Sequence, residues 1–391
     1  MGCDKFVDIL ARETGGKSYK SERYCLDGDN RAGIDCGDNN VKVTYKSYGE
    51  TVQHKSLVDL TKQSLAWSDK RQVLSYFLDG SRRTYKVDHI GYEKSGKRMC
   101  IYPIVAGQIG IGCLQRKERK MSTAGALVRE IVLAVPETAN KDEQKGFFGS
   151  ITHKMNEKSD GGRFGLKMDA VLDYKVETDK GDDEYEKKAI AKIQDRMVAK
   201  EQEFVAELVK ERRLNQDNYL VKDGSIEYQL DKDVKNDPKK LAAFKQNYNY
   251  VLGISKQFNP SIVQDINGKS NPGFIVNLQP GHRTPVAKYE NTRFGDIAYA
   301  VWYVRIRDKK FTRSPFDGVL KIEKMLVTDK EMAEGMDSET VDMLTSFVIA
   351  ERNPVCYGSD ARWANHLYPM YLTEQFVKSH YIGIDSFLQL F

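Results

Sequence analysis

The apolar residues of this chain follow two rhythms. From Gln72 to Gln115 they come in short runs rich in Tyr, Ile and Val: VLSYFLDGS, RTYKVDHIGYE and MCIYPIVAGQIGIGCLQ, separated by GSRR and SGKR. Runs of this length, punctuated by Gly, predict a three-stranded antiparallel meander. Over residues 187–214, KKAIAKIQDRMVAKEQEFVAELVKERRL, the spacing changes. Ile190, Ile193, Met197, Phe204 and Leu208 recur there at three- and four-residue steps or their multiples, which makes one apolar stripe along a helix. Beyond it the pattern predicts strands in YLVKDGSIEY, NYVLGISK, IAYAVWYVRIRD and GVLKIEKML, with a helix in DPKKLAAFKQNY. Further helices run through SETVDMLTSFVIAE and PMYLTEQFVKSHY. Antiparallel strands followed by helices and strands in alternation predict an α/β protein with a mixed sheet flanked by helices.

Two stretches stand outside this pattern. The first seventy residues are polar and rich in Gly, Asp and Asn, and are expected to form an N-terminal extension ahead of a domain spanning 71–391. Within them, DGDNRAGIDCGDN places Asp27 and Asp29 at the first and third positions of a calcium loop. However, Arg31 takes the next ligand position, Ala32 stands where Gly is required and Asp38 replaces the closing Glu, so a solvated loop is expected. Residues 141–188 lose periodicity and gain charge and Gly, which predicts a surface insertion or partner-facing loop.

Composition narrows the class only a little. Of 391 residues, 40% are hydrophobic and 30% charged, as in an ordinary globular protein. No run approaches the ~18 consecutive apolar residues that would span a bilayer, so no membrane role is expected. MGCDKFVDIL lacks the basic flank and apolar core of a secretory signal, and the cytoplasm is the expected compartment. Six cysteines without a C-x-x-C pair argue against a zinc cluster and a disulfide framework. The net charge of +5 permits contact with a polyanion where basic residues cluster.

The candidate chemistry lies in three acids. The stripe lacks an apolar residue between Met197 and Phe204, and Glu201 takes that place, whereas Glu203 and Glu207 point away. A carboxylate facing a core is costly unless paired or bound to a metal, so Glu201 is either a metal ligand or the partner of a buried Arg or Lys. YFLDGSRRTY (76–85) and NYLVKDGSIEY (218–228) each run from apolar residues into Asp-Gly-Ser. Each is readable as a hairpin turn. Together they suggest carboxylates on adjacent strands converging at one sheet edge, where Asp79, Asp223 and Glu201 would form an oxygen-rich site for Mg²⁺ or Mn²⁺. Two such ions about 4 Å apart would activate water and stabilise the leaving oxygen of a phosphodiester. No Gly-x-Ser-x-Gly, His-Glu-x-x-His or P-loop motif offers another chemistry.

At these residues the sequence resembles the NurA nuclease family, from about Tyr76 to Lys378. YFLDGSRR resembles its first motif, RMVAKEQEFV its acidic helix and YLVKDGSI its second aspartate strand. VLGISK, VWYVRIR and VLKIEK resemble its later strands, and HLYPMYLTE its closing Tyr-Pro motif. The resemblance implies an RNase H-like fold, a homodimer and a manganese-dependent DNA nuclease that docks on a HerA-type hexameric ATPase in DNA end processing or antiphage defence. It implies metal ligands at Asp79, Glu201 and Asp223, with His366 and Tyr368 assisting. Eight residues after Tyr368, where the family places an Asp or His, this chain has Phe376, so Asp360, His366 or Glu374 is expected to replace that ligand. Failing that, the chain would be a non-cleaving DNA- and ATPase-binding module of the same fold.

Basic residues complete the expectation. Arg82 and Arg83 follow Asp79 closely and Lys256 ends the VLGISK strand near the same sheet edge, so all three suit phosphate contacts. Arg305 and Arg307, interleaved with Trp302, Tyr303 and Phe311, suit backbone contact with base stacking, or form a charged hairpin exposed to water.

Overall fold

The computed structural model describes residues 5–19, 23–27, 44–68, 70–94, 98–118, 120–158, 166–177, 181–228, 230, 232–260, 272–290, 297–312, 314–356 and 363–391. The calcium-like stretch beyond Asp27, Cys3, Cys36 and Asp360 lie outside them. Ten strands form the spine of one mixed sheet: β1 (Thr44–Tyr48), β2 (Leu74–Lys94), β3 (Arg98–Lys117), β4 (Val128–Pro136), β5 (Ala170–Tyr174), β6 (Tyr219–Asp223), β7 (Val251–Ser255), β8 (Ala287–Glu290), β9 (Ala298–Arg305) and β10 (Val319–Leu326). Their order across the sheet is β1-β8-β9-β10-β7-β6-β2-β3-β4-β5. The helices that cover it include α1 (Phe6–Thr14), α2 (Phe147–Lys158), α3 (Asp182–Lys210), α4 (Pro238–Asn247), α5 (Ser338–Ala350) and α6 (Tyr368–Lys378).

The expected meander is a long hairpin. β2 runs unbroken for 21 residues through Asp79-Gly80-Ser81, paired antiparallel with β3 from Tyr76↔Gln115 to Lys94↔Arg98. The turn tendency of Asp-Gly yields here because cross-strand pairing holds the backbone extended on both sides of Gly80. The second Asp-Gly-Ser behaves differently. β6 ends at Asp223, and Gly224 turns the chain with φ +85°, a conformation that favours glycine. Only one of the two motifs therefore ends a strand.

Helix α3 buries Ile193, Met197, Glu201, Phe204 and Leu208, while Glu203 and Glu207 face water. Its apolar side chains close a core against Leu78, Ile104 and Ile111. A second core lies on the opposite face, where Val341, Leu344 and Phe347 of α5 meet Phe77, Leu252 and Trp302. Each fully buried side chain of this size contributes about 1.5–3 kcal/mol, so the sheet is fixed from both sides.

The two outlying stretches are part of this body. Phe6, Val7, Ile9 and Leu10 of α1 are buried in the first core, and the Phe6 N–H donates to the Leu390 carbonyl at 3.0 Å. Short strands at Lys17–Tyr19 and Tyr24–Cys25 add to β2, and β1 adds to β8. Residues 141–188 are not simply a loop. They contain α2, the first two turns of α3, and β5, which pairs parallel with β4 and buries Val171 and Tyr174. Among the described residues no helix is long and apolar enough to cross a membrane.

Candidate active site

β6 pairs parallel with β2 only as far as Lys222↔Leu78, and the Tyr24–Cys25 strand joins β2 only from Tyr85. Between Asp79 and Arg83 no described strand pairs with β2 on that side, and a cleft of about 980 Å³ opens at the carboxyl ends of the parallel strands β6 and β7. Crevices at this end of an open α/β sheet are where such folds bind ligands. Asp79, Arg82, Arg83, Glu201, Asp223, Lys256, Glu374 and Lys378 line it.

Strand alternation sorts these residues into two layers. Asp79 stands opposite Gly112, where a Cβ would meet Val377 of α6 at 2.7 Å, so Asp79 faces α6. Thr84 stands opposite Gly107, where a Cβ would meet Ile193 of α3 at 2.9 Å, so Gly80, Arg82 and Thr84 face α3. A Cβ on Gly80 would overlap the Glu201 carboxylate, which occupies the space a side chain there would need. The register of β6 on β2 puts Lys222 with Glu201, and Asp223 with Asp79.

In the α6 layer two acids share one ammonium, with Asp79 nearby. Lys256 Nζ lies 2.6 Å from Asp223 Oδ2 and 3.4 Å from Glu374 Oε2, and Lys378 Nζ lies 2.6 Å from Glu374 Oε1. Burial opposes ionisation of Glu374, but Lys256, Lys378 and His366 outweigh it and hold the carboxyl at about 2. Asp79 is 5% exposed, and no hydrogen bond or ion pair reaches its carboxylate among the described residues. Burial first, then the charges of Asp223, Glu374 and Glu201, raise its pKa well above the usual carboxylate range against the pull of Lys256. In the α3 layer Glu201 is 1% exposed, and its Oε2 lies 3.1 Å from Lys222 Nζ. The same ammonium donates to the carbonyls of Asp223 at 2.9 Å and Ser225 at 3.3 Å. Burial still raises the Glu201 pKa despite Lys222, while Lys222 is kept cationic by Glu201 and Asp223 against its own burial.

The arrangement therefore joins Asp79 and Asp223 with Glu374, and brings Glu201 to the cleft from the other side of Gly80, already paired with a buried lysine. Among the described residues no three His, Cys, Asp or Glu side chains already converge as a metal cage. The donor set nonetheless fits a hard divalent cation. Its atoms are carboxylate oxygens, and among the described residues no cation pairs directly with the buried Asp79 carboxylate.

The other expected residues are distributed unevenly. Arg82 donates from Nε to Gln194 Oε1 at 2.7 Å and pairs with Asp27, while Arg83 stacks over Tyr381 at 4.9 Å. His366 is 1% exposed, edge-on to the Tyr371 ring at 5.8 Å, close enough to influence Glu374 but not on the cleft wall. Tyr368 opens α6 with its N–H on the Glu351 carbonyl at 2.8 Å, also off the wall. Phe376 packs against His380, with ring centroids 4.9 Å apart.

The expectation for Arg305 and Arg307 requires correction. β9 is buried along its whole length, and Arg305 is 0% exposed. Its guanidinium donates to the carbonyls of Leu278 and Pro315 at 2.7 Å and of Asp317 at 2.9 Å, so it closes loops and meets no nucleic acid. Arg307 lies over the Trp363 ring at 5.6 Å and donates to the Arg352 carbonyl, away from the cleft. Trp302, expected to stack bases, is buried with its Nε1 donating to Thr345 at 2.9 Å. Lys222 and Lys378 were not anticipated. A lysine inside the apolar run YLVKD was the available signal for the first, and the i, i+4 spacing of Glu374 and Lys378 for the second.

These features define an α/β protein whose large mixed sheet carries an acidic, lysine-braced cleft edged by arginines. No protein-family model matches the sequence. No curated protein matches it either. Among solved structures it is similar to the NurA nuclease from Sulfolobus solfataricus, at 11% identity and a TM-score of 0.40 over 82% of this chain and 83% of that one. At that level the functional reading rests on the geometry of the cleft.

Proposed function

We propose that this chain is a metal-dependent DNA nuclease of RNase H-like fold. The observation that carries the reading is the buried Asp79 carboxylate beside Asp223 and Glu374, two carboxylates that share the Lys256 ammonium in a cleft at the ends of parallel strands. Strand order supports the fold assignment. The antiparallel set β2-β3-β4 is followed by α3, then by β6 parallel on the free side of β2, and then by α4 and β7 parallel to β6. In this reading Asp79, Asp223 and Glu374 hold Mn²⁺ or Mg²⁺, with Glu201 reaching the same place past Gly80. When bound, such ions activate water and stabilise the leaving oxygen of a phosphodiester. Lys256 and Lys378 orient Asp223 and Glu374, and Arg82 and Arg83 meet phosphates of the strand on the cleft wall. His366 supports Glu374 from behind. A homodimer, docking on a HerA-type ring ATPase and a role in DNA end processing or antiphage defence belong to the same proposal.

One observation favours a second reading, a DNA- and ATPase-binding module that does not cut. Lys256 and Lys378 already neutralise Asp223 and Glu374, and Lys222 neutralises Glu201. Incubating the purified chain with linear and single-stranded DNA under Mn²⁺, Mg²⁺ or EDTA, with and without a ring ATPase, separates the two. The nuclease reading expects products with a divalent ion and none in EDTA. A chain that yields no cation-dependent product under any of these conditions is the binding module.

A further inference from the structure

The cleft wall carries an anion site that the chain fills with its own carboxylate. Arg82 lies three residues beyond Asp79 on β2, about 10 Å along an extended strand. Asp27, just after the short Tyr24–Cys25 strand, sends one carboxylate oxygen to Arg82 Nη1 and the other to the backbone N–H of Thr84. Arg82 is oriented for this by its second bond, from Nε to Gln194 at 2.7 Å on α3. The Leu26 N–H donates to the Thr84 carbonyl at 2.8 Å, which fixes the Asp27 backbone against β2. A guanidinium and a backbone amide aimed at two oxygens of one anion is the donor pattern that recognises phosphate. The Arg82 and Asp27 side chains are 25% and 29% exposed, so water and ions screen the pair and an incoming anion can replace it.

We propose that Arg82 and the Thr84 amide form a phosphate subsite for the strand entering the cleft, and that Asp27 occupies it as a built-in competitor until substrate displaces it. The inference rests on the nuclease reading for the identity of its substrate, but the anion site itself is independent of cleavage. It predicts that the first residues of the chain tune DNA affinity without touching the acids that would hold metal.

The test compares wild type, Asp27→Asn, Arg82→Gln and the double variant in EDTA, each confirmed folded by thermal melting. Inorganic pyrophosphate binding is followed by calorimetry, and binding of a fluorescent single-stranded oligonucleotide by anisotropy over a salt series. Asp27→Asn should bind pyrophosphate several-fold more tightly than wild type. Its oligonucleotide affinity should also rise, and the slope of log K against log salt should steepen by about 0.7, the value for one added phosphate contact on a single strand. Both gains should vanish in the double variant. A pyrophosphate gain without an oligonucleotide gain would uphold the anion site while counting against the nuclease reading. No pyrophosphate gain in a folded Asp27→Asn, or the same gain when Arg82 is also replaced, would overturn the proposal.

Discussion

Replacing Asp79 or Asp223 with asparagine is expected to lower divalent-ion-dependent DNA cleavage by at least about 10³-fold, because metal activation is worth several kcal/mol and each 1.4 kcal/mol is tenfold. Glu374→Gln should move in the same direction. The loss should fall on kcat, with oligonucleotide affinity in EDTA close to wild type, since neither aspartate is a phosphate-binding group. A variant that cuts at the wild-type rate would remove its residue from the site. Asp79→Asn also carries a stability signature with a defined sign. The folded-state pKa of Asp79 is raised, mainly by burial and then by the neighbouring carboxylates. Wild-type stability therefore falls as pH rises from the unfolded carboxylate value of about 3.9 toward the folded value. Asparagine has no such dependence. In EDTA the variant should melt above wild type by a margin that grows with pH and closes below about pH 4.

The second large effect concerns the α3 layer. Lys222→Met should destabilise the fold by about 3–5 kcal/mol, because it leaves the Glu201 carboxylate buried without its partner. Glu201 and Lys222 have side chains only 2% and 6% exposed, so solvent does little to relieve the unpaired charge. Adding Glu201→Gln should recover most of the loss, since an amide is far cheaper to bury than a lone carboxylate. Denaturant titration of the two single variants and the double reads this directly. If Lys222→Met lost less than about 1 kcal/mol, within the range of an exposed ion pair, the pair would not be acting as a buried one.

The sequence made some of this legible and hid the rest for physical reasons. The α3 stripe was readable because burial repeats every turn, and Glu201 stood out as the charge interrupting it. The strands β6, β7, β9 and β10 and the helices α4, α5 and α6 were readable as runs of ordinary length. β2 was not, because Asp-Gly signals a turn locally while its pairing with β3 is decided by residues thirty positions away. Arg305 was misread because alternation with aromatics resembles an exposed hairpin. Only the tertiary fold reveals a strand buried on both faces, with loop carbonyls waiting for its guanidinium. The contact between Lys256 and Glu374 joins positions 118 residues apart, and no local spacing announces it. Asp27 belonged to a motif that fails as a calcium loop. Its contact with Arg82 depends on the short strand that docks beside β2.

Titrating the EDTA-stripped, dialysed protein with Mn²⁺ in a calorimeter, wild type beside Asp79→Asn, tests the central claim most directly, because it asks whether these carboxylates hold a cation at all. Saturable uptake by wild type that disappears in Asp79→Asn and weakens in Glu374→Gln is the predicted result. No uptake by wild type, or equal uptake by Asp79→Asn, would contradict the account.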